Sequence, residues 1–317
     1  MRFITAALAL AAGSCVSAHA TMFSVSVDGV DQGDGRNVYI RSPPNNNPVK
    51  DLASPDLVCN VNGGKAASSF VTAAAGSTLT FEWFHENRGD DIIDGTHKGP
   101  VITYIAPFTT GNGAQAIWTK IAEAGFASGK WAVDTLIANK GKTDFVLPAN
   151  LAAGQYLIRQ EIIALHEADA ATNVNAARGA QFYPSCVQVE VTGSGTAVPS
   201  QNFDFNTGYT SADPGILFSL YASFASYPIP GPAVAALGGS AGGGGPAPVP
   251  VPTTTAAAAP TATTTPIVTA PVVQPPATTL VTSVRHTAAP TKASARPGRP
   301  YRAPLLQRAG SVVLPLS

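Results

Sequence analysis

Charge is what this 317-residue chain has least of, with 12% of its residues Asp, Glu, Lys or Arg, about half the share in an ordinary soluble protein. Part of the chain therefore has no conventional globular surface. Acidic residues run out after Asp213, whereas Arg285, Lys292, Arg296, Arg299, Arg302 and Arg308 all follow it. With those six and Arg2 set aside, the segment from His19 to Pro232 carries 12 basic against 19 acidic residues. An acidic body excludes a nucleic-acid binder, which needs a basic face to displace counterions from phosphates. Nowhere do 18 uninterrupted apolar residues occur, so no membrane span is expected. No Asn-X-Ser/Thr triplet is present, which excludes N-glycosylation.

Cysteine is scarce too, three in all. Cys15 falls within residues 1–18, where Arg2, an apolar run from Phe3 to Ala12 and small residues up to Ala18 have the layout of a secretory signal peptide. The mature chain is thus expected outside the cell with only Cys59 and Cys186, which should pair in an oxidising compartment. In the chain-entropy picture such a bridge constrains the unfolded chain by roughly 5 kcal/mol. Two cleavage positions fit the small-residue rule, after Ala18 and after Ala20. The first frees His19 as the N-terminus and the second removes it.

Residues 19–232 read as one domain with a hydrophobic period of two. Phe23, Val25 and Val27 alternate with Ser24, Ser26 and Asp28, and Leu79, Phe81 and Trp83 with Thr78, Thr80 and Glu82. Further strands are expected at Pro100 to Ile105, Thr143 to Leu147, Gln155 to Leu165 and Cys186 to Val191. Helical spacing is confined to Ile117 to Ala124 and to Ile216, Leu217 and Leu220 after Pro214. The expected fold is all-β, an antiparallel β-sandwich of immunoglobulin or fibronectin type with long loops and short helices. From residue 233 to 317 the chain becomes rich in Ala, Pro, Thr and Gly, with Tyr301 its one aromatic. Such a segment cannot offset its ordering entropy, so a disordered, O-glycosylated basic tail without a binding module is expected.

The domain holds His19, His85, His97 and His166. An N-terminal His19 can chelate one metal ion through its α-amine and imidazole together, and one more histidine completes a three-nitrogen site. Nitrogen-rich tetragonal sites favour Cu(II). Five ordered motifs then carry a resemblance: His19-Ala20-Thr21, Asp94 to Pro100 (DGTHKGP), Leu157 to His166 (LIRQEIIALH), Gly179 to Cys186 (GAQFYPSC) and Asp213 to Ile216 (DPGI). Together with Pro228 to Pro232 (PIPGP), they make residues 19–232 resemble the fungal lytic polysaccharide monooxygenases of auxiliary-activity family 9, formerly placed among glycoside hydrolases.

That resemblance implies one Cu(2+) held by His19 and His97, with Tyr183 axial and with His166 and Gln181 beside the metal offering hydrogen bonds to the oxidant. Tyr221 and Tyr209 would lie on the face that meets the polysaccharide, and Cys59 and Cys186 match the family's bridge. It further implies a secreted monomer that oxidises cellulose or another β-glucan at C1 or C4, drawing electrons from an external donor and using O2 or H2O2. Gln181 and Tyr183, two apart, share a face if their segment is extended. The chain departs from the family at Gln160, where some members have histidine, and in lacking a second disulfide.

Two other readings compete with the copper enzyme. One is a non-catalytic secreted sandwich that binds polysaccharide or copper. The other is a hydrolase using carboxylates of the Glu86 to Asp94 loop, although adjacent Asp90 and Asp91 suit capping better than a separated acid and base pair. Arg88-Gly89-Asp90 is not expected to act as an adhesion signal, and His85 is expected at the surface.

Overall fold

The computed structural model describes residues 19–237; the expected leader and the tail beyond 237 lie outside the described residues. In chain order come β1 (Thr21–Val27), β2 (Val30–Asp31), β3 (Ile40–Arg41), α1 (Asp56–Cys59), β4 (Val71–Ala74), β5 (Thr78–Phe84) and β6 (Val101–Pro107). They are followed by β7 (Thr119–Ala124), β8 (Phe126–Ala127), β9 (Lys130–Trp131), α2 (Ala132–Ala138), β10 (Lys142–Val146), β11 (Gly154–Ala164), β12 (Gln181–Thr192) and α3 (Phe205–Gly208). One sheet has the order β10-β5-β1-β2, and the larger has β3-β12-β11-β6-β7 with β4 beside β12. All of these pairings are antiparallel except β4 with β12. The expected all-β sandwich is the fold, and no helix among the described residues is long and apolar enough to cross a membrane.

Alternation along the two long strands explains why both faces of the larger sheet are buried. On β11, Ile158, Ile162 and Ala164 enter the core between the sheets, where they meet Leu79, Phe81 and Trp83 of β5. The intervening Leu157 and Ile163 face a second apolar layer with Phe182, Phe205, Tyr209 and α1. Gln160 points into the first core, where its Oε1 accepts from Trp83 Nε1 at 2.8 Å and its Nε2 donates to Thr103 Oγ1 at 3.1 Å. Both polar groups are thereby satisfied in an apolar setting.

The second layer also buries a charge pair. Arg159 and Glu161 are fully buried, and the guanidinium donates to Glu161 at 2.9 Å and to the carbonyls of Val58 and Leu57 at 2.6 and 2.9 Å. It lies 3.8 Å from the Phe205 ring centroid, and Tyr209 donates to Glu161 at 2.6 Å. Removing one member of such a pair strands a buried charge. The network therefore ties α1 and α3 to β11.

Several expectations are corrected. Ile117 to Ala124 is not a helix: its residues from Thr119 form β7, paired to the edge of β6. Long-range pairing there overrides local propensity. The stretch after Pro214 consists of turns, and the seven-residue α2 went unforeseen. On β1 a register shift between Met22 and Ser24 breaks the alternation. Val25 enters the core, while half-buried Phe23 turns outward beneath the guanidiniums of Arg36 and Arg88. β12 starts at Gln181, ahead of the expected Cys186, and runs through Pro184. The packed chain also passes the expected boundary at Pro232, because Ala235 N–H donates to the Lys120 carbonyl and Leu237 is buried.

Cys59 and Cys186 form the expected disulfide, with their Cα atoms 5.3 Å apart and 127 residues between them in sequence. It fastens α1 to β12. Replacing both cysteines with alanine should lower unfolding stability by about 2–5 kcal/mol. Guanidinium unfolding of the two proteins measures it, and an unchanged midpoint would refute a stabilising bridge.

Candidate metal centre

His19 precedes β1, which pairs with the end of β5 through Thr21 opposite Phe84 and Met22 opposite Trp83. Buried Ala20 and Met22 anchor it there. His97 lies in a turn organised by Asp94, whose Oδ1 accepts from Thr96 N–H at 2.7 Å and Thr96 Oγ1 at 2.6 Å. The His97 N–H donates to the Asp94 carbonyl at 2.9 Å, and Lys98 pairs with Asp134 of α2. Gly99 is required by close approach: a Cβ there would stand 1.8 Å from the carbonyl oxygen of Ile163. His97 is thereby pressed against the end of β11, just before His166.

Three side chains converge. The ring centroids of His19 and His97 are 6.0 Å apart, those of His19 and Tyr183 5.9 Å, and those of His97 and Tyr183 6.2 Å. The His166 ring stands 4.0 Å from that of His97. Gln181 and Tyr183 are on one face of β12, as period two requires. The Tyr183 hydroxyl donates to Gln181 Oε1 at 2.7 Å, leaving the phenol lone pairs free for a metal. Gln181 Nε2 donates to Glu167 Oε2 at 2.9 Å and lies 3.3 Å from His166 Nε2.

The residues fit a copper ion. His97 Nε2 is buried without a hydrogen-bond partner, a costly state that ligation relieves. Burial pushes the His97 ring down to about 4, and the His166 and His19 rings push the same way. His19 is lowered by burial and then by His85; His166 is lowered by burial against the opposing pull of Glu167 and Asp94. Neutral imidazole is the form that binds metal.

Tyr221 is 75% exposed at the rim, and its hydroxyl donates to the His166 carbonyl at 3.1 Å. Tyr209 is not on that face: it is 2% exposed, with its hydroxyl on Glu161. Its expected surface role is withdrawn. His85 is more enclosed than expected, with 11% of its side chain exposed and Nδ1 2.9 Å from Asp91. His85, Asp90 and Asp91 cluster closely enough to suggest a second metal site. The Asp90 carboxylate, however, accepts the N–H groups of His85, Glu86, Asn87 and Ile92. Despite its burial, those bonds hold it below the ordinary carboxylate range. Asp90 is thus the loop's capping group, as expected. Two positioning residues escaped notice, Glu167 on Gln181 and Lys50, which stands 3.5 Å from Glu167. Only the adjacency of Glu167 to His166 signalled either.

Comparison with known proteins gives the family. Residues 19–227 match the model of Auxiliary Activity family 9, formerly GH61. AA9 family lytic polysaccharide monooxygenase A of Collariella virescens is 61% identical over 223 residues, 69% of this chain and 81% of that protein. The protein of that description from Aspergillus terreus is 52% identical over 291 residues, 90% of this chain and 79% of its own. Among solved structures, CvAA9A superposes with a TM-score of 0.68 at 60% identity, covering 68% of this chain and 97% of its own. Cel61B of Hypocrea jecorina, a glycoside hydrolase family 61 member, gives 0.59 at 29% identity, over 68% and 100% of the two chains. The chain belongs to auxiliary activity family 9. It is a copper-dependent polysaccharide monooxygenase.

A pH dependence follows for the copper-free protein. The unfolded chain protonates His97 near 6.5, whereas the folded domain does so only at about 4. The lowered ring stabilises the fold above the unfolded value, and the contribution is lost as pH falls between the two. It amounts to about 3 kcal/mol. Denaturant unfolding from about pH 7 to pH 4 should show stability falling, more steeply than in His97→Ala. Equal slopes in the two proteins would contradict the buried neutral ring.

Proposed function

We propose that this chain acts outside the cell as a monomeric, single-copper enzyme. It breaks cellulose or a related β-1,4-glucan by hydroxylating C1, C4 or both beside the glycosidic bond. An external small reductant or redox protein provides the electrons, and O2 or H2O2 is the co-substrate. The observation that carries the reading is the convergence of His19, His97 and Tyr183 at nearly equal separations around a buried, unpartnered His97 Nε2.

A bound copper ion supplies the one-electron chemistry that lets the oxidant remove hydrogen from a strong C–H bond. His19, through its imidazole and the amine that leader cleavage after Ala18 would free, and His97 would hold the ion, with Tyr183 beside them. Gln181, its amide fixed between the Tyr183 hydroxyl and Glu167, turns toward the His166 ring. Those two side chains offer hydrogen bonds to the oxidant and orient it. Tyr221 offers an exposed ring beside the site for a sugar to stack on. A flat glucan surface needs such an open rim.

The test is release of soluble oxidised sugars that depends on reductant and stops with a chelator. Tight copper binding with no oxidised product would instead support the non-catalytic sandwich. His97→Ala should lose more copper affinity than the roughly 10–100-fold that outer positions cost, together with activity, while still folding; an unchanged copper titration would overturn the ligand assignment. Gln181→Ala should keep copper within about 10–100-fold of the parent and slow oxidation by a similar factor. Parental turnover in that variant would remove Gln181 from the mechanism.

A further inference from the structure

The Gln181 amide can fill its place in either of two orientations, and one neighbour chooses between them. Oε1 accepts from the Tyr183 hydroxyl at 2.7 Å, and Nε2 donates to Glu167 Oε2 at 2.9 Å. Tyr183 does not impose that order, because a phenol donates or accepts. Neither does His166, whose Nε2 lies 3.3 Å from Gln181 Nε2 and donates or accepts according to its tautomer. Turned over, the amide would offer its NH2 to Tyr183, and the phenol would accept and turn its proton elsewhere. An ionised carboxylate has no such choice, since it only accepts.

Glu167 is placed to make the choice. Its backbone carbonyl accepts the Gly179 N–H at 2.8 Å, which holds it beside the start of β12. Lys50 Nζ, a group that only donates, stands 3.5 Å from the same Oε2 and keeps this end of the chain an acceptor. Reversal would set Gln181 Oε1 against Glu167 Oε2, two acceptors face to face. Gln181 is 7% exposed and Tyr183 1%, which leaves little room for water to replace the lost partners. We propose that Glu167 is a positioning residue that fixes the direction of the hydrogen-bond chain from Tyr183 through Gln181. Gln181 then presents N–H rather than carbonyl to His166 and to the oxidant, and Tyr183 presents lone pairs rather than a proton to the metal. That consequence rests on the function assigned to the metal centre, whereas the direction itself belongs to the copper-free chain.

Neutron diffraction from crystals of the copper-free mature chain, soaked in D2O, locates the deciding deuterons. One on the Tyr183 oxygen should point to Gln181 Oε1, and one on Gln181 Nε2 should point to Glu167. Glu167→Gln is the diagnostic variant, because it keeps the size of the side chain and removes its acceptor-only character. In that variant the Gln181 amide should occupy both orientations, and the paramagnetic resonance spectrum of the Cu(II)-loaded chain should shift from the parental one. Its oxidation of cellulose should slow several-fold at saturating substrate while the half-saturating concentration stays unchanged, as for an interaction that does not contribute to substrate binding. A parental Tyr183 deuteron pointing away from Gln181 would overturn the proposal. So would a Glu167→Gln chain that keeps the single parental orientation, the parental copper spectrum or the parental rate. The deuterons are placed without copper or glucan, so a parent that released no oxidised sugar would count against the assigned activity and not against the direction of the chain.

Discussion

Burying imidazole nitrogen without a hydrogen-bond partner is the constraint from which the rest of this structure follows. An unpaired polar atom in a dry environment costs about 1–3 kcal/mol, and His97 Nε2 and His166 Nδ1 are both in that state. The fold sustains them because the surrounding backbone is over-determined: the Asp94 turn, the Gly99 contact with β11 and the Lys98 pair with α2 all hold the same short segment. The desolvation that makes these atoms costly also keeps the rings neutral. Local instability and readiness to ligate are one property seen from two sides.

Two different solutions to buried polarity stand side by side on the larger sheet. Facing the second apolar layer, Arg159, Glu161 and Tyr209 satisfy one another and the carbonyls of α1. At the candidate metal centre the polar atoms of Tyr183, Gln181 and Glu167 satisfy one another, but the histidine nitrogens next to them are left open. The charge-paired network rigidifies its layer, whereas the open imidazole nitrogens are available to a ligand.

Much of this was legible in the chain. The alternation of Leu79, Phe81 and Trp83 read correctly because β5 is regular, whereas that of Phe23, Val25 and Val27 misled because a bulge lies between Met22 and Ser24. A bulge leaves no mark on a hydrophobic pattern. Ile117 to Ala124 looked helical since local spacing cannot report a partner such as β6. The motif residues His19, His97, His166, Gln181 and Tyr183 do meet, their motifs having been specific. Tyr209 went wrong for a different reason: a tyrosine carries no sign of its own burial. The clue lay elsewhere, in Arg159 and Glu161 placed within an apolar strand, since buried charges there demand polar partners from another segment.

β12 has no neutral side to turn toward solvent at its start. Displacing it by a single residue would exchange its two faces, sending Phe182 toward the imidazoles and Gln181 and Tyr183 into the second apolar layer. Deletions or insertions between Gly179 and Cys186 are therefore far more damaging than their size suggests. The covalent tie from Cys186 to α1 acts as an alignment pin for the enzyme's chemistry as well as a staple for its fold.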